Sequence, residues 1–562
     1  MVNKLLGKAM DKEFWVQVRE KDCFKEFREH MLKTWEQNCE GQELNSLKYR
    51  DFKIFFVTGD RAPYSRDYYH RRRALMASAM LSLIYPDEEK YLDYLMDTVY
   101  AICDEYTWCL NAHQPNYEIN NNCHIDLFAA ETAFSLAETY HILGDRLDPL
   151  IKNRIIAEID RRITVPFKEK TYNWEKATNN WGAVCTGSVG CTFMLMHPEM
   201  MDEMKPRFDA NLEYYLSGFK DDGICLEGCH YWHYGFGYFT VYADMIRTFT
   251  NGETDYFKRE KVRQIATFIQ KAFISKDAII SFSDGGRSHK FHMGLVHYLK
   301  KQFPSDVVVY DKSFSYIASG CARFCLALRG ATWLSEEDYY NPTPNTTPAE
   351  YYAADSQMLI KRTPNYGFAA KAANNGEPHN HNDVGSFIFA KNGRQVLLDH
   401  GSGPYSRQYF HKDTRYGHIE CSSRGHSVPV VDGTYQSAGR QFEAKDVVFE
   451  NGRFTMDIAG AYECEGLNSI IRSFTFTDEA VTLTDTFDYT GQGAIVDRIV
   501  TMIEPVIDEN VGKVVIDDTV IAYDPARYGA AVQNEKTTKG QPIYLIDFTL
   551  KDGVREFTCE IC

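Results

Sequence analysis

The sequence predicts an α+β multidomain fold, with helices of the α/α-toroid or helical-array type over residues 1–340 and an antiparallel β-sandwich over 341–562. Three observations carry this expectation. Apolar residues recur at helical spacing through about residue 330. A Pro- and Thr-rich segment, NPTPNTTP at 341–348, then interrupts the chain. Beyond it, apolar and polar residues alternate with the period of two that marks half-buried strands.

The helical elements are read from their stripes and caps. The Ala- and Leu-rich run 126–143 ends at Gly144-Asp145. Ile151, Ile155, Ile159 and Ile163 recur every four residues, with Pro166 as a stop signal. The uncharged run between Lys176 and Glu199 contains Asn179, Asn180 and three glycines, so it reads as a buried helix rather than a membrane span. Val262, Ile265 and Ile269 stripe a helix over 261–273. No fixed-period repeat is present, which argues against a solenoid. Strands are expected at 385–390, 395–399, 427–431, 514–516 and 543–548, and where Phe474, Phe476, Val481, Leu483 and Phe487 alternate with Thr and Asp. Asn392-Gly393, Asp432-Gly433 and Asn451-Gly452 are turn signals between them.

Composition excludes several classes. With 44% hydrophobic and 25% charged residues the chain is ordinary globular material, not collagen, a disordered tail or a bare coiled coil. The net charge of −16 argues against a general nucleic-acid binder or membrane-surface binder, though a local basic cleft is compatible with it. Fifteen scattered cysteines do not make a disulfide scaffold. The first residues hold no apolar leader segment, so a reducing cytoplasm is expected; a chain trimmed of its leader would be periplasmic or secreted. Nothing in the sequence bears on oligomeric state.

Chemistry-bearing residues gather in three places. Six of the 17 histidines lie between His379 and His426. In His379-Asn-His381-Asn-Asp383, the first and third residues share a face if the segment is a strand. Asp399 ends the next expected strand and His426 opens a third. Two imidazoles and one carboxylate, His381, Asp399 and His426, can form a zinc site with an open fourth position; the alternative is a His-rich loop network without metal. In the second cluster, EGCHYWHYGFGY, the residues Tyr231, Tyr234 and Tyr238 fall on one helix face, as a site or as a packed Tyr stripe. In the third, Thr178-Asn179-Asn180-Trp181 opens an apolar helix, and an Asn there is also a favoured N-cap.

These segments resemble the heparinase II/III-like polysaccharide lyases. The resemblance is carried by TNNWGAVC, by DDGICLEGCHYWHYGFGYF, by the set HNHNDVGSF, VLLDHGSGPYS and SSRGHSVPVVDG, and by RSFTFTDEAVTLTDTF. It runs through both halves in the family's order, and the spacing of 18 residues from His381 to Asp399 and 27 to His426 fits it. The resemblance implies an incomplete α/α toroid, a β-sandwich, an active cleft between them and one structural zinc on His381, Asp399 and His426. It implies β-elimination on a uronic-acid polysaccharide, glycosaminoglycan- or alginate-like. Asn179 or Asn180 would neutralise the substrate carboxylate, and Tyr234, or Tyr231 as second choice, would move protons. His379 matches the histidine beside the metal ligand, and Tyr416 the second tyrosine of alginate-cleaving relatives. Arg415, Arg424 and Trp181 are candidate substrate contacts.

Two other classes remain open on sequence. One is a glycoside hydrolase on the same plan, with Asp222 and Glu227 as acid and base; the other is a non-catalytic sugar-binding protein. Cys559-Glu-Ile-Cys562, a lone CxxC, is weak evidence for metal or redox chemistry. No P-loop or strand-flanked GxGxxG marks a nucleotide cofactor.

Overall fold

The computed structural model describes residues 1–562 apart from 116–121, 288–289, 312–313, 316–320, 322 and 378. Helices dominate up to Tyr340, and the main β-sheets begin at Ala349. From there on, every strand pairing among the described residues is antiparallel. Three sheets of five, four and eight strands make up most of this part.

The helices that build the site form for local reasons. Asp126 caps Leu127–Leu143 by accepting from the Ala129 N–H at 2.7 Å, and Gly144 follows the last turn at φ 50°. Asn179 caps Asn180–Met196 by accepting from the Trp181 N–H at 3.1 Å. Both helices are apolar on nearly every face and are buried almost throughout, so they pack centrally rather than at the surface. No described helix is long and apolar enough to cross a membrane.

Two π turns change the expected phase. The isoleucine helix runs Pro149–Ile159, passes through a π turn at Asp160–Thr164 and continues as Val165–Glu169. Pro166 therefore opens a helical segment, where its missing N–H is harmless, instead of ending one. A second π turn, Trp232–Phe236, lies inside the tyrosine segment. The stripe over 261–273 divides into Glu260–Ala266 and Phe268–Ala272, and Phe273 starts a short strand.

The strongly alternating strands match expectation. Leu467–Phe476 pairs with Val481–Tyr489, placing Phe474 opposite Leu483. Asn392-Gly393 joins Phe387–Lys391 to Arg394–Leu397 with both turn residues at positive φ. Two segments differ. His379–Asp383 is loop, with His379 at φ 56°, and the strand after His426 is only Val430–Val431.

The five-stranded sheet links the two parts. Met358, Ile360, Ala369, Ile388 and Ala390 belong to the hydrophobic core of the helices. Their neighbours Leu359, Phe368, Ala370, Phe387 and Phe389 belong to the core of the β part. A strand's side chains alternate between faces, so one sheet serves two cores. Close backbone contact reinforces the junction: a Cβ on Gly367 would meet the Ile274 carbonyl oxygen at 1.8 Å.

Candidate active site

A cleft of about 710 Å³ opens where helices meet loops of the β part. The helices of the first part contribute Asn180, Trp181, Tyr231 and Tyr234; the β part contributes His379, Tyr405, Arg407 and Phe410. A smaller lobe of about 440 Å³ shares Tyr231, Tyr234, Cys321 and Tyr405 with it and is also lined by Asp284 and Arg323.

His379 is held from behind. Its Nδ1 lies 2.7 Å from Asp284 Oδ2, and its ring stacks on Tyr231 with centroids 4.3 Å apart. Asp284 also takes hydrogen bonds from Tyr409 and, at 3.1 Å, from Arg415. Burial opposes its ionisation, but the two histidines and the Arg415 charge hold its carboxyl far below the usual carboxylate range. An ionised carboxylate only accepts, so a His379 proton sits on Nδ1, while Nε2 faces Glu227 Oε1 at 3.7 Å. Its left-handed backbone is a conformation that non-glycine residues adopt at a cost, most often at functional sites.

The two asparagines separate. Asn179 is the helix cap and does not line the cleft. Asn180 does; its N–H donates to Glu227 Oε2 at 3.1 Å and its Nδ2 to Oε1 at 3.3 Å. Burial raises the Glu227 carboxyl above its ordinary range, despite His379 and Asn180.

The π turn fans out the tyrosines. Tyr231 OH meets Tyr405 OH at 2.5 Å, a contact between the two parts of the chain. Tyr234 OH donates to Glu131, which also accepts from Arg323 Nε at 2.8 Å. The Arg323 guanidinium lies 3.9 Å from the Tyr234 ring centroid. Burial and the Glu131 charge raise the Tyr234 phenol well above its usual range, against the pull of Arg323. Tyr238 is buried beneath it rather than lining the cleft.

The other sequence candidates lie elsewhere. Trp181 lines the cleft, edge-on to His113 at 4.9 Å. Tyr416 donates to Asn380 Oδ1 at 3.0 Å outside the lining. Arg415 is buried on Asp284, and Arg424 faces Glu535 at 3.7 Å, so neither lines the cleft. Asp222 accepts from the Ser356 N–H and hydroxyl at 2.7 and 2.8 Å and does not line the cleft. Sequence reading missed Asp284, Glu131, Arg323 and Tyr405. Their only local signals are SFSDGG around Asp284 and the tyrosine in GSGPYS.

Behind His379, suitable donor atoms of His381, Asp383, Asp399 and His426 all lie within 4.8 Å of one another, fully buried. His426 Nε2 bonds the Glu420 carbonyl at 2.8 Å and His381 Nε2 faces Asp284 at 3.3 Å, so these nitrogens carry the protons. Both Nδ1 lone pairs then turn toward Asp399, at 3.1 Å from His426 and 3.7 Å from His381. Among the described residues, neither Nδ1 nor Asp399 Oδ2 makes a hydrogen bond of good geometry beyond these contacts. A cation, or a second proton on each ring, is what satisfies them. Both Asp383 oxygens are likewise without a good hydrogen bond, but the Lys371 ammonium stands 2.7 Å from Asp383.

No protein-family model matches the sequence, and no curated protein matches it. Solved structures do. A heparan sulfate lyase HepC mutant from Pedobacter heparinus is 16% identical, with 97% of this chain and 84% of that one covered at a TM-score of 0.61. A heparinase III is 13% identical, covering 89% and 77% at 0.56. A chondroitin AC lyase from Streptomyces coelicolor A3 is 10% identical, covering 98% and 82% at 0.50. The chain therefore has a heparinase-like polysaccharide-lyase fold, reached with little sequence in common.

Proposed function

We propose that this chain is a polysaccharide lyase. It cleaves a uronic-acid-containing anionic polysaccharide or oligosaccharide, glycosaminoglycan- or alginate-like, by β-elimination and leaves an unsaturated uronate end. Its architecture would be an incomplete α/α toroid over 1–340 and a β-sandwich over 341–562. The observation that carries the reading is the lining of the larger lobe: Tyr231, Tyr234, His379 and Asn180 are among its polar groups, and no carboxylate lines it among the described residues. Elimination needs this set, whereas hydrolysis classically needs two carboxyl groups facing the bond. The fold neighbours, titled as heparan sulfate, heparinase III and chondroitin AC lyases, support the same class.

In this reading Asn180 stabilises the substrate carboxylate, held in place by Glu227, and so favours the enolate that forms at C5. The His379 Nε2 lone pair is the proton acceptor in the cleft. Tyr234, neutral because of its burial, gives a proton to the leaving glycosidic oxygen. Tyr231, stacked on His379, is the second candidate. We also propose one zinc per chain on His381, Asp399 and His426, whose unsatisfied lone pairs fit it. When bound, it ties together the loops behind His379.

The test is a screen of heparan sulfate, hyaluronan, chondroitin, alginate and pectin by ultraviolet absorbance. A lyase creates a conjugated C=C and absorbance rises on the preferred polymer. Reducing ends without absorbance would mark a hydrolase instead, and silence on every polymer a binding protein.

A further inference from the structure

The larger lobe holds two arginines that the elimination chemistry does not use, one from each part of the chain. Arg61 stands at the start of helix Ala62–Ile84 and donates to Tyr69 OH at 3.4 Å. Arg407 opens the short helix Arg407–Phe410. It donates to the Phe55 carbonyl at 2.8 Å, and its guanidinium lies 5.2 Å from the Phe55 ring centroid. Neither arginine has a carboxylate partner among the described residues. Arg323, in the smaller lobe, is by contrast paired with Glu131. Each of these two guanidinium groups makes one hydrogen bond among the described residues, so most of their donors are open to a ligand in the cleft.

Aromatic faces connect this end of the cleft to the reacting end. Tyr69 stacks on Phe128 at 5.6 Å, Phe128 meets His113 at 5.9 Å, and His113 meets Trp181 beside Asn180. On the other wall, Phe410 meets His379 at 6.0 Å. Apolar platforms flanked by planar cationic forks suit a sugar ring bearing a negative group.

We infer that Arg61 and Arg407 form an anion subsite for the carboxylate or sulfate of a sugar next to the one being cleaved. The inference rests on the substrate class proposed above. It makes the charge of that neighbouring sugar a determinant of specificity, separate from the group that Asn180 recognises.

Calorimetry on the full chain carrying Tyr231→Phe and Tyr234→Phe, which spare the ligand, tests it. The probes are tetrasaccharides of the preferred polymer in native, carboxyl-reduced and desulfated forms. Arg61→Ala and Arg407→Ala should each weaken the native ligand by about tenfold, and the double variant by about 100-fold. Binding of the fully neutral form should not change. Arg407→Lys keeps the charge and the bulk beside Phe55, and should fall between Arg407→Ala and the parent. If the effect persists on the desulfated form, the partner is a carboxylate; if it persists on the carboxyl-reduced form, a sulfate. Equal binding of the native ligand by parent and double variant would overturn the subsite, as would an equal loss for the neutral form. Arginine-dependent binding in a wild-type chain that raises no absorbance on any polymer would sink the lyase reading and leave the subsite standing.

Discussion

Tyr234 is held between a buried carboxylate and a stacked guanidinium, so substitution there isolates a single proton. Tyr234→Phe keeps the ring under Arg323 and removes only the hydroxyl. Turnover should fall by about 10²–10⁴, the usual range for a general acid or base, with the fold intact. A larger collapse in Tyr231→Phe would transfer the role to the phenol stacked on His379. Normal turnover in both would point to Tyr405, which lines both lobes, ahead of Tyr416, which lines neither. A second residue, far from this chemistry, sets part of the acid stability. His297 is buried, and its Nδ1 accepts the Ser335 N–H at 3.0 Å just before helix Glu336–Tyr340. Burial pushes its pKa down to about 4, with Asp338 opposing. The unfolded chain therefore takes up this proton first, and stability is lost as pH falls from about 6.5 to 4. His297→Asn keeps an acceptor that does not titrate. In urea unfolding it should flatten the decline between pH 7 and pH 4 by about 1–3 kcal/mol. An unchanged decline would mean that His297 titrates normally.

Among elements, those with long regular patterns were legible in the sequence and those with irregular backbone were not. Leu127–Leu143 and the pair Leu467–Phe476 and Val481–Tyr489 lie close to where periodicity put them, because one period persists over several turns or pleats. The spacing of the tyrosine segment predicts one helical face, but the π turn at Trp232–Phe236 adds a residue to the turn, and no spacing rule signals that. HNHND has strand-like spacing, yet it is a loop, since two alternating histidines are too short a pattern to decide. Asp284 lies 95 residues before His379 in sequence and joins it only through tertiary packing. The motif RSFTFTDEAVTLTDTF gains a physical reason. Arg472, fully buried, pairs with Asp485 and donates to the carbonyls of Gly385 at 2.8 Å and Ser427 at 2.7 Å. It thereby fastens the segments that follow His381 and His426. Arg472→Leu should destabilise the protein by about 3–5 kcal/mol, because it strands buried carboxylates. By elemental analysis of protein purified without chelator, it should also lower the zinc content that we propose. If His426→Ala retains full thermal stability and the wild type holds no stoichiometric metal, the zinc assignment falls.

At the scale of the whole molecule, the Pro- and Thr-rich segment at 341–348 is a linker in sequence but joins parts that share a core. The five-stranded sheet gives Ile360 and Ile388 to the helices and Phe368 and Phe389 to the β part. Polar ties cross the same junction: Arg362 donates to the Phe273 carbonyl at 2.8 Å, and Gln395 to that of Ile279 at 2.6 Å. Burial of apolar area at about 25 cal/mol per Å² makes such a two-sided sheet costly to uncover. Residues 346–348 are exposed, but the connection is held at its ends, by Asn345 donating to the Lys276 carbonyl at 3.0 Å and by Arg362 donating to the Thr347 carbonyl at 2.5 Å. The junction and the cleft are therefore expected to survive a break in the backbone. A protease site inserted between Thr346 and Thr347, and cut after folding, tests this. The two fragments should co-elute in gel filtration, unfold in one transition and keep most of the elimination activity, because Asn180, Tyr234 and His379 stay in register. Fragments that part without denaturant would show that the linker, not the shared sheet, holds the cleft together. Fragments that stay paired yet lose activity would place a strain-bearing role on the linker itself.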